Sequence, residues 1–383
     1  MNVDDIRTVA VVGAGDMGHG IAEVAMIADY KVNLYDVKQE FVDRAEQRIY
    51  QSLDKLVSKG KVPADQYEKI KGELLKKTVD LADAVKDADL VIEAAPEILD
   101  LKKEIFAKMD RLAPPHTLLA SNTSTMSITE IGKATNRQDK VLGLHYFNPA
   151  VLMKLVEVIR GDRTSDETIQ IGFDFAKKNN KVPVIVKKDV PGFIANRVNA
   201  PASVLIGAII ESGEIQPEEI DAFVRSFGAP MGPCELVDYT GVDVNVHMAR
   251  YYATNVHPDY VAPPHLVKMA EEGNFGKKTG KGYFDWSQGR PNIDLSKATD
   301  KLEPMNIVAV QVNEATKLIE MGVCSAEDVD LALTNSSGNP VGPMSVAKEM
   351  EPFDLAQRLE RLAKKYKKEI FNPTKMVREG RYK

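Results

Sequence analysis

Three glycines, Gly13, Gly15 and Gly18, form the pattern G-x-G-x-x-G and constrain the fold of this chain more than any other feature. They stand between a strand-like run, TVAVV, and a segment of helical composition, MGHGIAEVAMIA. Glycines at these places allow a tight turn, a close approach of pyrophosphate to the backbone, and close packing of helix on strand. Asp36 ends the next strand-like run, where a carboxylate accepts hydrogen bonds from a ribose. Together these features predict a dinucleotide-binding βαβ unit, whereas a lone glycine-rich turn would not.

Strand-like and helical segments alternate through the first half of the chain. The strand-like runs are TVAVV, KVNLYD, ADLVIEAAPE, TLLASN, KVLGLHYF and KVPVIV. Such alternation predicts a doubly wound, mostly parallel sheet with helices on both faces, a Rossmann domain over residues 1–189. The charged interval at about 38–80 is typical of two or more helices, and we expect it to project from this domain as a helical arm.

Charged residues followed by Pro191-Gly192 end this alternation, and the rest of the chain has helical patterns. We predict an all-α domain over residues 190–292. Its first helix contains Pro201, which should kink that helix or mark its opening turns.

The C-terminal stretch, residues 300–383, repeats part of this helical domain. Ile209–Phe223 aligns with Leu318–Ala332, and FGAPMGPCEL aligns with SGNPVGPMSV at an offset of about 110 residues. The second copy lacks the Asn196-Arg197 pair of the first. It is therefore predicted to be a degenerate, non-catalytic duplicate that packs and does not bind.

Composition excludes several classes of protein. A formal net charge of −6 argues against nucleic acid, whose phosphates favour a basic surface. Cys234 and Cys324 are far apart and have no disulfide or metal-ligand spacing, so neither a disulfide framework nor a metal site is expected. The N-terminus lacks a signal-peptide pattern, and the longest apolar run is interrupted by polar residues and proline. These features predict a cytoplasmic protein without a membrane partner.

His145 is the best-placed candidate general base among the six histidines. It follows the strand-like run VLGL, at a sheet end where doubly wound folds bind their ligands, and an imidazole exchanges protons near neutral pH. Glu157, in the strand-like run VLMKLVEVI, could hold the tautomer of His145 and stabilise the imidazolium. From position alone, a structural histidine and an exposed glutamate are equally good interpretations.

Two polar side chains in turns also have two interpretations. Ser124 lies where LLASN runs into a polar turn, before a helix that Ser127 and Glu130 open as a possible capping box. Asn196 lies in the first turn after the Pro-Gly break. Each side chain either binds a ligand or satisfies backbone groups at a helix start.

The motifs GAGDMGHGIA, SNTSTMSI, LHYFNP, KLVEV, PGFIANR and FGKKTGKGYF together resemble those of the L-3-hydroxyacyl-CoA dehydrogenase family, which includes 3-hydroxybutyryl-CoA dehydrogenases. The resemblance covers residues 1 to about 290 in order, and the C-terminal copy resembles one that some members carry. It implies reversible, NAD-dependent oxidation of an L-3-hydroxyacyl-CoA to a 3-ketoacyl-CoA such as acetoacetyl-CoA, in fatty acid metabolism. Asp36 separately favours NAD over NADP, because a carboxylate repels a 2′-phosphate.

The resemblance also implies roles for individual residues. His145 would be the general base, Glu157 its partner, and Ser124 and Asn196 would hydrogen-bond the oxygen on the reacting carbon. Ser52 and Lys59, in the arm, would contact the CoA portion, although a solvated surface explains both equally well. The cofactor would contact Gly13, Gly15, Asp16, Met17, Gly18, Asp36, Glu97, Lys102, Ser124, Asn148 and Lys278.

Two other functions stay open at this point. A related dehydrogenase of free hydroxy acids or sugar acids would not need the arm. A non-catalytic dinucleotide-binding protein would keep the fold, although all four candidate catalytic residues are present in order. The resemblance implies that the domain over residues 190–292 binds substrate and forms the contact of a homodimer, unless the C-terminal copy replaces the partner subunit and leaves a monomer.

Overall fold

The computed structural model describes residues 1–338 and 340–383, which form two compact units. The first unit consists of Met1–Ala195 and Met321–Gly342, and the second of Asn196–Glu320 and Pro343–Lys383. The C-terminal copy is therefore shared between the two units. The domain limits at residues 189 and 292 stay predictions, and Asn339, inside one aligned segment, lies outside the described residues.

An eight-stranded sheet forms the centre of the first unit, in the order β3-β2-β1-β4-β5-β6-β7-β8. All neighbouring strands are parallel except β6 and β7, which are antiparallel. The strands are β1 Thr8–Val12, β2 Lys31–Tyr35, β3 Leu75–Thr78, β4 Leu90–Glu93, β5 Leu118–Ser121, β6 Val141–Tyr146, β7 Leu155–Arg160 and β8 Val182–Val186. The predicted doubly wound Rossmann fold is confirmed.

The helices of the first unit surround this sheet. They are α1 Gly18–Ile27, α2 Gln39–Ser58, α3 Ala64–Lys69, α4 Leu81–Val85, α5 Leu99–Leu112, α6 Ile128–Gly132, α7 Asp166–Lys178 and α14 Ala326–Ser337. Three short helical segments complete the unit, a π-helical turn at Ile70–Leu74 and 3₁₀ turns at Val3–Asp5 and Gln138–Lys140.

The second unit contains helices from both copies, and α8 starts at the last residue of the first unit. The helices are α8 Ala195–Glu211, α9 Pro217–Ser226, α10 Pro233–Thr240, α11 Val242–Asn255, α12 Pro264–Glu271, α13 Pro304–Glu320, α15 Pro343–Ala347, α16 Pro352–Tyr366 and α17 Lys375–Arg378. 3₁₀ turns occur at Pro258–Tyr260, Leu295–Lys297 and Glu369–Phe371. Pro201 lies inside α8. Among the described residues, no helix combines the length and apolar character needed to span a bilayer.

Different elements cover the two faces of β6 and β7. Leu142 and Val158 face α7, because a Cβ on Gly172 of that helix would meet both side chains. Gly143, the next residue of β6, lies against Ile159 and against α6. Side chains alternate along a strand. The residue two positions from Gly143 on β6 and the residue two positions from Ile159 on β7 therefore lie on the same face of the sheet as these two, the face against which α6 packs.

The charged arm lies against its domain rather than projecting from it. α2 buries Val42, Ala45, Ile49 and Leu53, a stripe at helical spacing, and packs on α1. The arm ends in β3, an edge strand that pairs with β2. Sequence analysis missed β3, because the run LKKT carries the charges typical of an edge strand and no apolar alternation.

The two copies of the helical unit correspond helix by helix. α8 and α13 each have 17 residues and start 109 positions apart. The next helices in the two copies, α9 and α14, also correspond to each other. Each carries an aspartate that lies against the glycine immediately before the helix that follows it. A Cβ on Gly232 would lie 2.2 Å from Asp221, and one on Gly342 would lie 2.2 Å from Asp330. The C-terminal segment is therefore a duplicate of the first copy.

Helices α8 and α13 are joined by a buried ion pair. Nε of Arg197 lies 2.5 Å from Oε1 of Glu314, and both side chains are less than a tenth exposed. Gln311 donates a hydrogen bond to Asn199 at 2.8 Å between the same two helices. Arg197, which the second copy lacks at the aligned position, thus binds the second copy.

Glu23, on α1, is a fully buried carboxylate. Neither of its oxygens forms a hydrogen bond of ordinary geometry within the described residues. Burial raises the pKa of Glu23 to about 7, and the nearby Ser52 hydroxyl and Lys181 charge oppose this only in part. Burial likewise lowers the pKa of Lys181 to about 8.

Replacing Glu23 by glutamine should stabilise the protein at high pH only. Because the folded-state pKa of Glu23, about 7, lies above the ordinary value of 4.5, the protein loses stability as pH rises through this range. We expect Glu23→Gln to raise the free energy of unfolding at pH 8 by about 1–3 kcal/mol and to leave it almost unchanged at pH 5. Urea unfolding at both pH values measures this.

The control is Glu40→Gln, which removes the same charge from an exposed site on α2. It should show no such difference between the two pH values. A Glu23→Gln protein that is less stable at pH 8 would mean that attraction to Lys181 outweighs the cost of burial.

Candidate active site

His145 and Glu157 lie directly opposite each other on β6 and β7. They share a sheet face with Gly143 and Ile159, each two residues away along its strand. Nδ1 of His145 is 2.7 Å from Oε2 of Glu157, and the glutamate is fully buried. This contact favours the tautomer that carries its hydrogen on Nδ1, so Nε2 is the nitrogen that can exchange a proton with a ligand.

Two backbone N–H groups at the start of α8 hold the second oxygen of Glu157. The amides of Ile194 and Ala195 each donate a hydrogen bond to Oε1 at 2.9 Å. Gly192 and Phe193, just before them, have φ values of 77° and 55°. A left-handed conformation is unusual for phenylalanine, and such strain is typical of functional sites. This turn directs both amides at the carboxylate.

Aromatic rings flank the imidazole of His145. The ring centroid of Phe147 lies 4.4 Å from that of His145, and the centroid of Phe193 lies at 5.8 Å. These rings restrict water around the histidine. Neither residue was predicted from the sequence, although Phe147 belongs to the motif LHYFNP and Phe193 to PGFIANR.

The turn that carries Ser124 is held by Glu97. Oε1 of Glu97 accepts a hydrogen bond from the Ser124 amide at 2.9 Å and another from the Thr123 hydroxyl. Lys102 is fully buried between two carboxylates, 2.8 Å from Oε1 of Glu93 and 3.2 Å from Oε2 of Glu97. Although burial acts to raise the pKa of Glu97, the Lys102 charge and these hydrogen bonds bring it below the ordinary value. Glu97 therefore positions Ser124 as a carboxylate.

Side chains that sequence analysis missed tie together the carboxyl ends of β4, β5 and β6. Oε2 of Glu93 accepts a hydrogen bond from the Ser121 hydroxyl at 2.6 Å. Oδ1 of Asn122 accepts one from the Tyr146 amide at 2.8 Å. The available signal was a polar residue at the last position of an apolar strand, as in LVIE and LLAS.

The glycine loop has two glycines that the fold requires and one that it does not. A Cβ on Gly13, whose φ is 108°, would lie 2.6 Å from the Ala94 carbonyl oxygen, and one on Gly18 would lie 1.7 Å from that of Gly13. A Cβ on Gly15 would meet nothing within 4 Å. The open space at Gly15 fits a phosphate-bearing ligand against the backbone.

Asp36 connects this loop to the end of β2. Its Oδ2 accepts a hydrogen bond from the Ala14 amide at 2.8 Å, and its Oδ1 accepts one from Val37 at 2.7 Å. A carboxylate oxygen accepts more than one hydrogen bond, so a ribose hydroxyl can also donate to Asp36. The exposed Asp16 forms an ion pair with Arg48 of α2 at 2.6 Å, and Met17 stands at the N-cap position of α1. The loop and Asp36 fit a dinucleotide.

The remaining predicted residues lie outside this cluster of contacts. Ser52 is half-buried on α2 beside Glu23, and Lys59 is exposed at the end of the same helix. Asn148 is exposed after β6. In the second unit, Lys278 forms an ion pair with Asp243 at 2.5 Å, and Asn196 lies in the first turn of α8. Ligand contacts of these residues stay predictions.

Comparison with known families matches both parts of the chain. Residues 8–190 match the family described as 3-hydroxyacyl-CoA dehydrogenase, NAD binding domain. Residues 192–286 and 306–383 match the C-terminal domain of the same dehydrogenase. The chain belongs to the 3-hydroxyacyl-CoA dehydrogenase family. Its cofactor is accordingly NAD.

Relatives of this 3-hydroxyacyl-CoA dehydrogenase family member match either about three quarters or nearly all of the chain. Mitochondrial hydroxyacyl-coenzyme A dehydrogenase of Sus scrofa is 37% identical over 288 residues, 73% of this chain and 91% of that protein. A probable 3-hydroxybutyryl-CoA dehydrogenase of Bacillus subtilis (strain 168) is 38% identical over 74% of this chain and 99% of its own length. The crystal structure of 3-hydroxybutyryl-CoA dehydrogenase from Escherichia coli K12 has a TM-score of 0.88 at 28% identity and covers 98% of both chains.

Replacing Gly15 by alanine should separate cofactor binding from folding. The new Cβ meets no protein atom within 4 Å, so the fold should be unaffected, but it occupies the space that pyrophosphate approaches. We expect Gly15→Ala to weaken NADH binding by about tenfold or more and to shift the Tm by less than about 2 °C. Calorimetric titration with NADH and thermal unfolding measure the two effects.

Gly72→Ala, at an equally open position in the arm, serves as the control and should change neither quantity. Unchanged NADH affinity in Gly15→Ala would contradict a phosphate site at this loop.

Proposed function

We propose that this chain catalyses the reversible, NAD-dependent oxidation of an L-3-hydroxyacyl-CoA, such as 3-hydroxybutyryl-CoA, to the 3-ketoacyl-CoA. The buried His145–Glu157 pair carries the proposal. It lies near the carboxyl end of β6, at the sheet edge that also carries the glycine loop and the Ser124 turn. Ligands of doubly wound sheets bind at this edge. The names of the Bacillus and Escherichia relatives support the same substrate class.

The geometry of the pair suits general base catalysis. In the oxidation, Nε2 of His145 takes the proton of the 3-hydroxyl group, and the carbonyl double bond forms at C3. NAD, when bound, supplies the acceptor for the hydride that leaves C3. Glu157 stabilises the imidazolium through its hydrogen bond with Nδ1. In the reduction, the imidazolium returns the proton to the oxygen.

Ser124 and Asn196 are proposed to hydrogen-bond the reacting oxygen. The Ser124 turn is held by Glu97, and Asn196 directly follows the two residues whose amides bind Glu157. Both side chains thus stand on backbone that ionic hydrogen bonds keep in place. Orienting the oxygen in this way is worth a few kcal/mol, on the order of 100-fold in rate.

The arm and several polar residues are proposed to hold the long ligands. Lys59, at the exposed end of α2, carries a charge that suits a CoA phosphate, and the half-buried Ser52 lies two turns earlier on that helix. Asn148, Lys278, Asp16 and Met17 are proposed to complete the cofactor site.

The purified protein is expected to oxidise NADH when acetoacetyl-CoA is added. Free acetoacetate should give a kcat/KM lower by about 100-fold or more, because binding energy from the CoA portion lowers the reaction barrier. The absorbance of NADH measures both rates. His145→Gln should lower kcat by about 10²–10⁴-fold while NADH binding is kept.

Two results would contradict this function, and a third would contradict the role of His145. Equal rates with acetoacetate would indicate a dehydrogenase of free acids. No turnover by a protein that binds NADH would refute the substrate class. Near-normal turnover by His145→Gln would show that His145 is not the general base, even though the protein catalyses the proposed reaction.

We also propose that the chain is a monomer in the cytoplasm, in which the C-terminal copy replaces a partner subunit. The buried Arg197–Glu314 pair, which joins α8 to α13, supports the proposed monomer. Both cysteines are free, buried thiols, which suits a reducing compartment.

Sedimentation equilibrium of the purified protein is expected to give a mass near 42.3 kDa that is independent of concentration. The reason is that α13 of the second copy already binds α8 through the Arg197–Glu314 and Gln311–Asn199 contacts. Twice this mass across the concentration range would contradict the proposal and indicate a homodimer.

A further inference from the structure

One segment of the C-terminal copy belongs to the unit that contains the sheet. Met321–Gly342, which includes α14, is part of the first unit, and α14 packs on β7 and β8. Its aligned counterpart α9 packs instead on α10 and on the 3₁₀ turn at Leu295–Lys297. The two copies of this helix therefore have different neighbours.

α14 covers the sheet face that carries Glu157. α7 packs on β6, β7 and β8 and occupies the opposite face, the one with Leu142 and Val158. On β8, Val184 and Val186 pair in register with Glu157 and Ile159, so they share the Glu157 face, and both are buried. Since α7 takes one face of these strands, α14 takes the other.

The segment is anchored beside Glu157 before the helix starts. The Lys187 amide, just after β8, donates a hydrogen bond to the Val323 carbonyl at 2.9 Å, and Val323 is fully buried. Cys324, the next residue, is also buried. Burial chiefly raises the pKa of its thiol to about 12, and the charges of Asp328 and Glu157 add to this effect. The hydrogen bond to Val323 thus fixes the segment at the end of β8, the strand that pairs with β7.

One side of α14 faces the sheet. Val329, Ala332 and Leu333 are buried at the spacing i, i+3, i+4, which places them on one face of the helix. Leu331, on the other side, is half exposed. This apolar face packs on β7, which carries Glu157, and on β8 beside it.

We propose that the segment from Met321 to the end of α14 at Ser337 is a positioning element of the active site, which acts on His145 only through Glu157. A dry environment strengthens the interaction between carboxylate and imidazolium, whereas admitted water would compete for the Glu157 oxygens. The proposal rests on the proposed role of His145 as base. It gives the C-terminal copy a part in catalysis without a contact to ligand.

The test deletes apolar volume from α14 and asks whether the effect requires Glu157. Leu333→Ala should lower kcat for acetoacetyl-CoA about tenfold and leave the KM for NADH unchanged. In a Glu157→Gln background the same substitution should change kcat by less than about twofold, because the residue through which it acts is gone. The control Leu359→Ala deletes the same atoms from α16, in the second unit. It should leave kcat nearly unchanged both with Glu157 present and in the Glu157→Gln background.

A second readout does not depend on activity. In the free protein, the Ile194 and Ala195 amides that bind Glu157 should exchange with deuterium faster in Leu333→Ala than in Leu359→Ala. Equal exchange in these two variants, or losses of kcat that simply multiply in the double variant, would overturn the proposal. If Leu333→Ala fails to fold, the same kcat and exchange measurements are made on Val329→Ala, with Val377→Ala as its control.

The two proposals fail separately. A wild-type protein without turnover of any 3-ketoacyl-CoA would refute the proposed function, while the exchange experiment would still decide whether α14 holds Glu157.

Discussion

The rest of the active site depends on the carboxylate of Glu157. One oxygen binds His145 and the other binds the Ile194 and Ala195 amides, so a single buried group joins a strand of the sheet to the start of α8. An unpaired carboxylate at full burial would be costly. The amide donors of Glu157 and the residues that bury it must therefore both be in place for His145 to be oriented. This requirement explains why the left-handed turn before Ile194 is tolerated despite its strain.

Much of the fold could be predicted from the sequence because its signals are local. Apolar runs separated by helical segments specify a parallel sheet, and the glycine spacing specifies the first turn. β3 was missed because an edge strand needs only one neighbour and can carry charged residues. The arm was expected to project because its charges were visible, whereas the apolar stripe of α2 against α1 was overlooked.

The candidate site was only partly predictable, for a different reason. His145 was found through its position near a strand end and Glu157 through its place in the next strand-like run, but their hydrogen bond depends on the antiparallel register of β6 and β7. Glu93 and Asn122 act across neighbouring strands, and Phe193 acts through a turn. Sequence shows none of these long-range contacts. Lys102 was expected at the cofactor, and the structure shows it buried between Glu93 and Glu97, where it supports the Ser124 turn.

The ion pair between α8 and α13 affects how the sequence of this chain can evolve. At the aligned positions, 109 residues away, Asn306 stands for Arg197 and Leu205 stands for Glu314. Two identical subunits related by symmetry would have to make any such contact twice, and one substitution would alter both. With the copies in one polypeptide, each surface varies by itself, so one copy can keep the residues that a ligand needs while the other adapts to its neighbour.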